Sequence, residues 1–279
     1  MKRDTVNLEP GVDHSRPLTP VNDDQRYIGA SVPRGGIERL TQGLGQYVDD
    51  IELPRMAHVV YWRSPVAHMR INSVNADFAR AMPGVLLVAD GKDLAKVCKP
   101  WVATLGHLAG MKSAPQYALA LDRACWQGEP VVAVVAETRA EAEDALAYIQ
   151  VDWEELPAAT DMRTALDPAT PLIHPELGDN LCFTRTLDVG QVDETFANAD
   201  VVADIEFEFG RHTGVTLEPR AQIAHWSPAD RRLTVYHSCQ APHMMQDLYG
   251  RQFDLPASAI RVVCKDVGGS FGIKVHAYP

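Results

Sequence analysis

This chain lacks most of the patterns that announce chemistry at a glance. Its five cysteines, Cys98, Cys125, Cys182, Cys239 and Cys264, are odd in number, widely spaced and never set as C-x-x-C. That excludes a disulfide framework and a zinc ribbon, and buried reduced thiols are expected, as in a cytoplasmic protein. No H-x-x-x-H spacing occurs among the ten histidines; His68 and His212 stand isolated, and no protein-ligated metal site is expected. No apolar run approaches the length of a membrane span. No apolar stretch follows Met1-Lys2-Arg3-Asp4, so no secretory signal is expected. Basic charge is scarce: 26 Lys and Arg against 37 Asp and Glu give a net charge of -11. Nucleic acid held by bulk electrostatics is therefore excluded, whereas an anionic ligand held by local backbone amides is not. G-x-G-x-x-G and G-K-[ST] are both missing.

What is present suits a soluble α+β protein. The 279 residues, 46% hydrophobic and 23% charged, suffice for one large domain or two ordinary ones. Residues 1–27 are polar, with Pro10, Pro17 and Pro20, and are expected to form a poorly ordered arm. Strand-like runs then follow at 58–64, 69–74, 85–89, 129–136 and 150–154, with a short helix at 77–81 closed by Pro83-Gly84. Thr138 and Glu141 have capping-box spacing, and Ala142, Ala145, Leu146 and Ile149 mark the apolar side of the helix they open. The proline-rich residues 159–180 read as a linker. Beyond it strands are expected to dominate. Residues 201–209 alternate almost strictly, as a half-buried strand would, and 221–226 and 232–237 form a hairpin around a turn at 227–230. A helix is expected from Pro242 to Phe253, with Met245, Leu248 and Tyr249 on one side, and a strand at 260–264.

Three segments offer chemistry. Gly268-Gly269-Ser270-Phe271-Gly272 follows that last strand. Its glycines allow close approach of backbone N–H groups to an anion, or equally a tight turn that needs positive φ. A nucleotide-binding reading of this loop requires a following helix and strand of a parallel βαβ unit, and the sequence stops before either. Ser238-Cys239-Gln240-Ala241-Pro242-His243 sits between a strand and a helix. Gln240 has a donor and an acceptor for an oxo group or a cofactor amide. Cys239 is a candidate thiol nucleophile or soft metal ligand, or else a buried inert cysteine, and no activating base accompanies it. In Thr216-Leu217-Glu218-Pro219-Arg220, the charges of Glu218 and Arg220 read as an ion pair, a ligand site or a solvated turn.

Taken together the segments resemble one family. Thr41-Gln42-Gly43, Tyr47-Val48-Asp49-Asp50, Arg63-Ser64-Pro65-Val66-Ala67-His68, Gly128-Glu129-Pro130-Val131, Leu217-Glu218-Pro219-Arg220, Gln240-Ala241-Pro242-His243 and Asp266-Val267-Gly268-Gly269-Ser270-Phe271-Gly272-Ile273-Lys274 occur in order. They resemble the large subunits of the molybdenum hydroxylases, the xanthine dehydrogenase, aldehyde oxidase and aerobic carbon monoxide dehydrogenase group. The resemblance implies an a/b hammerhead domain with its lead-in over 28–158, the linker at 159–180, and the first part of a molybdopterin-binding domain over 181–279. It places Gln240 beside the oxo ligand of the molybdenum, and Gly268, Gly269, Ser270, Phe271 and Gly272 against the pterin, with no protein side chain as metal ligand. It implies a molybdopterin cytosine dinucleotide cofactor, an iron–sulfur small subunit and an FAD-binding medium subunit. The general-base glutamate is expected beyond Pro279, so no catalytic residue is assigned and the chain alone is expected to be inactive. It is then the opening part of a large subunit or, alternatively, a non-catalytic subunit of a split enzyme. Val275 stands where purine-oxidising members carry Glu, and residues 275–278 look closer to the carbon monoxide dehydrogenase-like branch, a label that covers many substrates.

Overall fold

The structure, a computed structural model, describes residues 35–103, 105 and 107–278. The arm expected at 1–27 lies outside them. The chain divides into two units, residues 1–45 and 46–279. Within the first, the described residues hold one short helix, α1 (Ile37–Thr41). The remaining elements belong to the second unit.

Two antiparallel three-stranded sheets occupy the stretch from 58 to 155. One has β1 (His58–Arg63) and β3 (Val85–Asp90) flanking β5 (Pro130–Ala136); in the other, β4 (Arg123–Ala124) and β6 (Gln150–Glu155) flank β2 (Met69–Asn75). The unbroken apolar run of β5 explains its central position. A strand covered on both faces has no use for alternation, and all of β5 except Val135 is buried. β1, at the edge, alternates between half-buried and exposed residues. The short helices α2 (Asp77–Arg80) and α3 (Gly91–Leu94) follow β2 and β3. Thr138 and Glu141 cap α4 (Arg139–Leu146) reciprocally, by bonds of 3.0 and 3.2 Å. Ala142 and Ala145 of α4 and Ala79 of α2 are fully buried in one core with Met69, Val131, Val132 and Val134. Such small side chains let the helices approach the sheet closely. Residues 159–180 are tied down rather than free. The Asn180 amide donates to Ala165 and Pro171 carbonyls at 3.0 Å, and Glu176 pairs with Arg123 at 3.3 Å.

Beyond 180 the expectation of successive strands fails at first. No strand forms among residues 181–221, which hold only the helix α5 (Val192–Ala197). The strand expected at 201–209 is absent. Alternation defines two faces, but a strand persists only where a neighbouring edge completes its ladder, and no described residue supplies one here. The third sheet follows, β7 (Gln222–Ser227), β8 (Arg232–His237) and β9 (Ile260–Val263). β7 and β8 form the antiparallel hairpin, whereas β9 pairs with β8 in parallel after the helix α6 (Pro242–Phe253) crosses back. Met245 and Leu248 bury one side of α6. Its Tyr249 hydroxyl donates to Gln222 Oε1 and meets His237 Nδ1, each at 3.1 Å. The cysteine expectation needs correcting too: all five are free, but only Cys239 is buried and Cys182 is exposed. Cys182 lies in a surface segment outside either core.

Gly91 opens α3 where the chain crosses residues 119–120. A Cβ there would lie 2.1 Å from the Ala120 carbonyl oxygen, a backbone atom that cannot swing aside. Gly91→Ala is expected to cost roughly 1–3 kcal/mol, read as a fall in urea midpoint. Gly210→Ala, which meets no atom within 4 Å, is expected to stay within about 0.5 kcal/mol of wild type.

Candidate functional site

The parallel pairing of β8 and β9 makes both strands end at the same side of the third sheet. Antiparallel β7 begins there. Three loops therefore converge at the carboxyl ends of two parallel strands, the usual ligand-binding edge of such sheets. The segment before β7 brings Glu218, the segment after β8 brings Ser238, Cys239 and Gln240, and the segment after β9 brings the glycine loop and Lys274.

Glu218 joins all three. Its buried Oε2 accepts from Ser238 Oγ at 2.6 Å, from the Gly268 amide at 2.7 Å and from Lys274 Nζ at 2.9 Å. Its own amide donates to the Gly268 carbonyl at 3.1 Å. Lys274, 2% exposed, is one of the largest fully buried side chains. Burial works against the Glu218 charge, but the bonds from Ser238, Gly268 and Lys274 outweigh it and hold the carboxyl below the usual glutamate range. Oε1 is buried without a partner among the described residues. Residue 268 has to be glycine, because a Cβ would lie 2.5 Å from Glu218 Cβ. The reading of Glu218 as a solvated charge is therefore corrected: its partner is Lys274, and Arg220 instead lies 3.9 Å over the Tyr278 ring.

Beyond this clamp the loop turns sharply. Gly269 and Gly272 have φ of 96° and 88°, and Phe271, φ 46°, occupies the left-handed region that a bulky residue rarely adopts. The Phe271 side chain is 76% exposed. The Ile273 amide donates to the Ser270 carbonyl at 2.9 Å, closing the turn. The amides of Gly269, Ser270, Phe271 and Gly272 donate to no described residue. Successive free N–H groups in a left-handed turn form a concavity suited to an anion, and the space beside Gly272 is open. Gln240 is held alongside: its amide donates to the Lys274 carbonyl at 2.9 Å, while its exposed side chain bonds no described residue. A loop with free donors and an adjacent free carboxamide fits an oxyanion-rich cofactor.

Cys239 is not a nucleophile here. Burial, then the neighbouring Cys264 thiol, pushes its own thiol up to about 11, leaving it protonated at neutral pH. A wide groove of about 1790 Å³, lined by Trp101, Met111, Arg220, Leu248 and Tyr278 among others, includes neither Gln240 nor residues 268–272. It is larger than ordinary small-ligand pockets and is separate from the candidate site. Lys274 and Ser238 were not singled out by sequence reading; the only available signal was a lysine at a fixed step beyond the glycines.

Comparison with known proteins agrees with this anatomy. Residues 42–157 match the aldehyde oxidase and xanthine dehydrogenase a/b hammerhead domain. Residues 173–279 match the molybdopterin cofactor-binding domain. The carbon monoxide dehydrogenase large chain of Hydrogenophaga pseudoflava is 35% identical over 95% of this chain and 32% of that relative. The nicotine 6-hydroxylase large subunit of Paenarthrobacter nicotinovorans is 33% identical over 95% and 32%. Quinoline 2-oxidoreductase from Pseudomonas putida 86 superposes with a TM-score of 0.83 at 35% identity, over 89% of this chain and 32% of that one. The class is thus a hammerhead domain joined to molybdopterin-binding sequence, with the α+β fold that this entails. The chain belongs to the molybdenum hydroxylase large-subunit family, and it spans about a third of the length of these relatives. Relatives named as large chains or subunits work in multi-subunit assemblies. No described helix is long and apolar enough to cross a membrane.

The clamp yields a stability prediction with a definite sign. Glu218→Leu and Lys274→Met, made singly, each strand a buried charge and are expected to cost about 3–5 kcal/mol. The double variant removes both charges and is expected to recover the part of the loss due to the stranded charge, but not the part due to the Ser238 hydroxyl and the Gly268 amide, which still lack their acceptor. Because the folded Glu218 carboxyl is depressed, its contribution is complete above the unfolded value of about 4.3 and is lost as pH falls through the folded value. The stability gap between wild type and Glu218→Gln should therefore narrow between pH 7 and pH 3 in urea titrations.

Proposed function

We propose that this chain supplies one wall of the cofactor site in a molybdopterin-dependent oxidoreductase large subunit. The hammerhead domain with its lead-in occupies 28–158, the linker 159–180 and the partial molybdopterin-binding domain 181–279. The observation that carries this reading is the loop whose four consecutive amides, Gly269 to Gly272, find no partner among the described residues while Glu218 fixes the residue before them. These amides bind and orient the anionic pterin part. The exposed Gln240 carboxamide would hold the oxo-metal end of the cofactor, and the exposed Phe271 ring would shield the cofactor from water. When bound, the molybdenum–pterin group supplies two-electron chemistry with water-derived oxygen. The cytosine dinucleotide form of the cofactor, the iron–sulfur and FAD-binding partner subunits and a cytoplasmic site of action complete the proposal. The relatives act on carbon monoxide, nicotine and quinoline according to their names, so the reaction class is hydroxylation of an electrophilic carbon or oxidation of carbon monoxide. No general base is assigned within this chain, and alone it is inactive.

Cofactor loading tests this. The 279-residue chain is produced in a bacterium that makes the cofactor, alone and together with the portion of the Hydrogenophaga pseudoflava large chain outside the matched region. Molybdenum is measured by mass spectrometry and pterin by oxidative fluorescence. The chain alone is expected to carry almost none. The complex is expected to carry close to one molybdenum, falling at least about tenfold in Gly269→Val, where a branched side chain meets a left-handed backbone. Stoichiometric molybdenum in the isolated chain, or a pterin-free complex, would contradict the proposal.

A further inference from the structure

Residues 201–209 present a sequence built for pairing and a structure that leaves it unpaired. Val201, Ala203, Ile205, Phe207 and Phe209 alternate with Val202, Asp204, Glu206 and Glu208. No ladder forms there, and Val201, Ile205, Phe207 and Phe209 are 84%, 75%, 72% and 82% exposed. The Phe207 and Phe209 rings meet edge to face at 5.7 Å, the contact of neighbours on one face of an extended chain. Exposed apolar surface of this concentration marks an interaction site.

A second copy fits it poorly. In an antiparallel pairing centred on Ile205, Asp204 faces Glu206 on both sides of the centre. A parallel in-register pairing sets Asp204, Glu206 and Glu208 each against its own copy. Like charges directly opposite destabilise a sheet, and a net charge of -11 per chain adds to the repulsion.

The segment lies within the match to the molybdopterin cofactor-binding domain, yet the chain covers only 32% of its large-chain relatives. We propose that residues 201–209 are a strand-addition surface whose occupant is a strand from the portion of the large-subunit polypeptide that this chain does not match. That strand presents apolar residues to the face of Phe207 and Phe209, and basic or neutral residues opposite Asp204, Glu206 and Glu208. Main-chain bonds then complete the missing ladder, as in other cases of strand addition. The proposal rests on the family reading above but concerns a surface distinct from the cofactor loop.

The test uses the complex described above, with hydrogen exchange read by mass spectrometry. Amides of residues 202–208 are expected to exchange rapidly in the isolated chain and at least about tenfold more slowly in the complex. Phe207→Asp, and separately Phe209→Asp, should weaken co-purification at least about tenfold while leaving the melting of the isolated chain unchanged, because both side chains are exposed. Three results would overturn the proposal: no complex with the wild-type chain, a complex in which these amides still exchange rapidly, or protection in the isolated chain through self-association. Pterin content separates this inference from the cofactor reading. A pterin-loaded complex with fast amides refutes strand addition alone, and a pterin-free complex with slow amides refutes the cofactor site alone.

Discussion

One carboxylate oxygen organises the functional end of this protein. Glu218 Oε2 gathers a hydroxyl, a backbone amide and an ammonium from three separate segments. Each donor is buried or half-buried, so removing the acceptor takes away a bond from each and leaves Lys274 with an uncompensated charge. The clamp also explains the composition of the loop. Gly268 must lie flat against Glu218, and once its amide is committed, the next four are left without a partner among the described residues. Rigidity at one end and unpaired donors at the other are the two properties that a preorganised anion site needs.

Topology brings these residues together. Because β9 runs parallel to β8, Gln240 and the glycine loop leave the sheet at the same edge, and the Gln240 amide is tied to the Lys274 carbonyl. The β8–α6–β9 crossover precedes the glycine loop, so this is not the strand–loop–helix order of a dinucleotide fingerprint. A second tie reaches back towards the hammerhead region. Asp266 accepts from the Gln46 amide at 2.8 Å and donates its own amide to the Gln46 carbonyl at 3.2 Å, tying down the segment that leads into the loop.

Much of the fold was legible in the sequence because its signals are local. The apolar run of β5, the Thr138–Glu141 capping box and the Pro83-Gly84 stop each act within a few residues, and those elements form where expected. Gln240 and residues 268–272 stood out by motif. The role of Glu218 did not. Its donors lie 20, 50 and 56 residues away in sequence, and nothing near Glu218 distinguishes a buried acceptor from a solvated charge. Residues 201–209 illustrate the converse limit. Their alternation was plain, but alternation specifies a face and not the partner that covers it, and the chain holds no such partner among its described residues.

The most direct measurement of the central claim is residue-resolved hydrogen exchange across the loop of the isolated 279-residue chain. If Glu218 clamps the loop and leaves its donors free, the Gly268 amide exchanges slowly and the amides of Gly269, Ser270, Phe271 and Gly272 exchange near the rate of open chain. Glu218→Gln should then speed Gly268 without altering the other four. Uniform protection across 268–272, or a Gly268 amide as fast as its neighbours, would contradict the account.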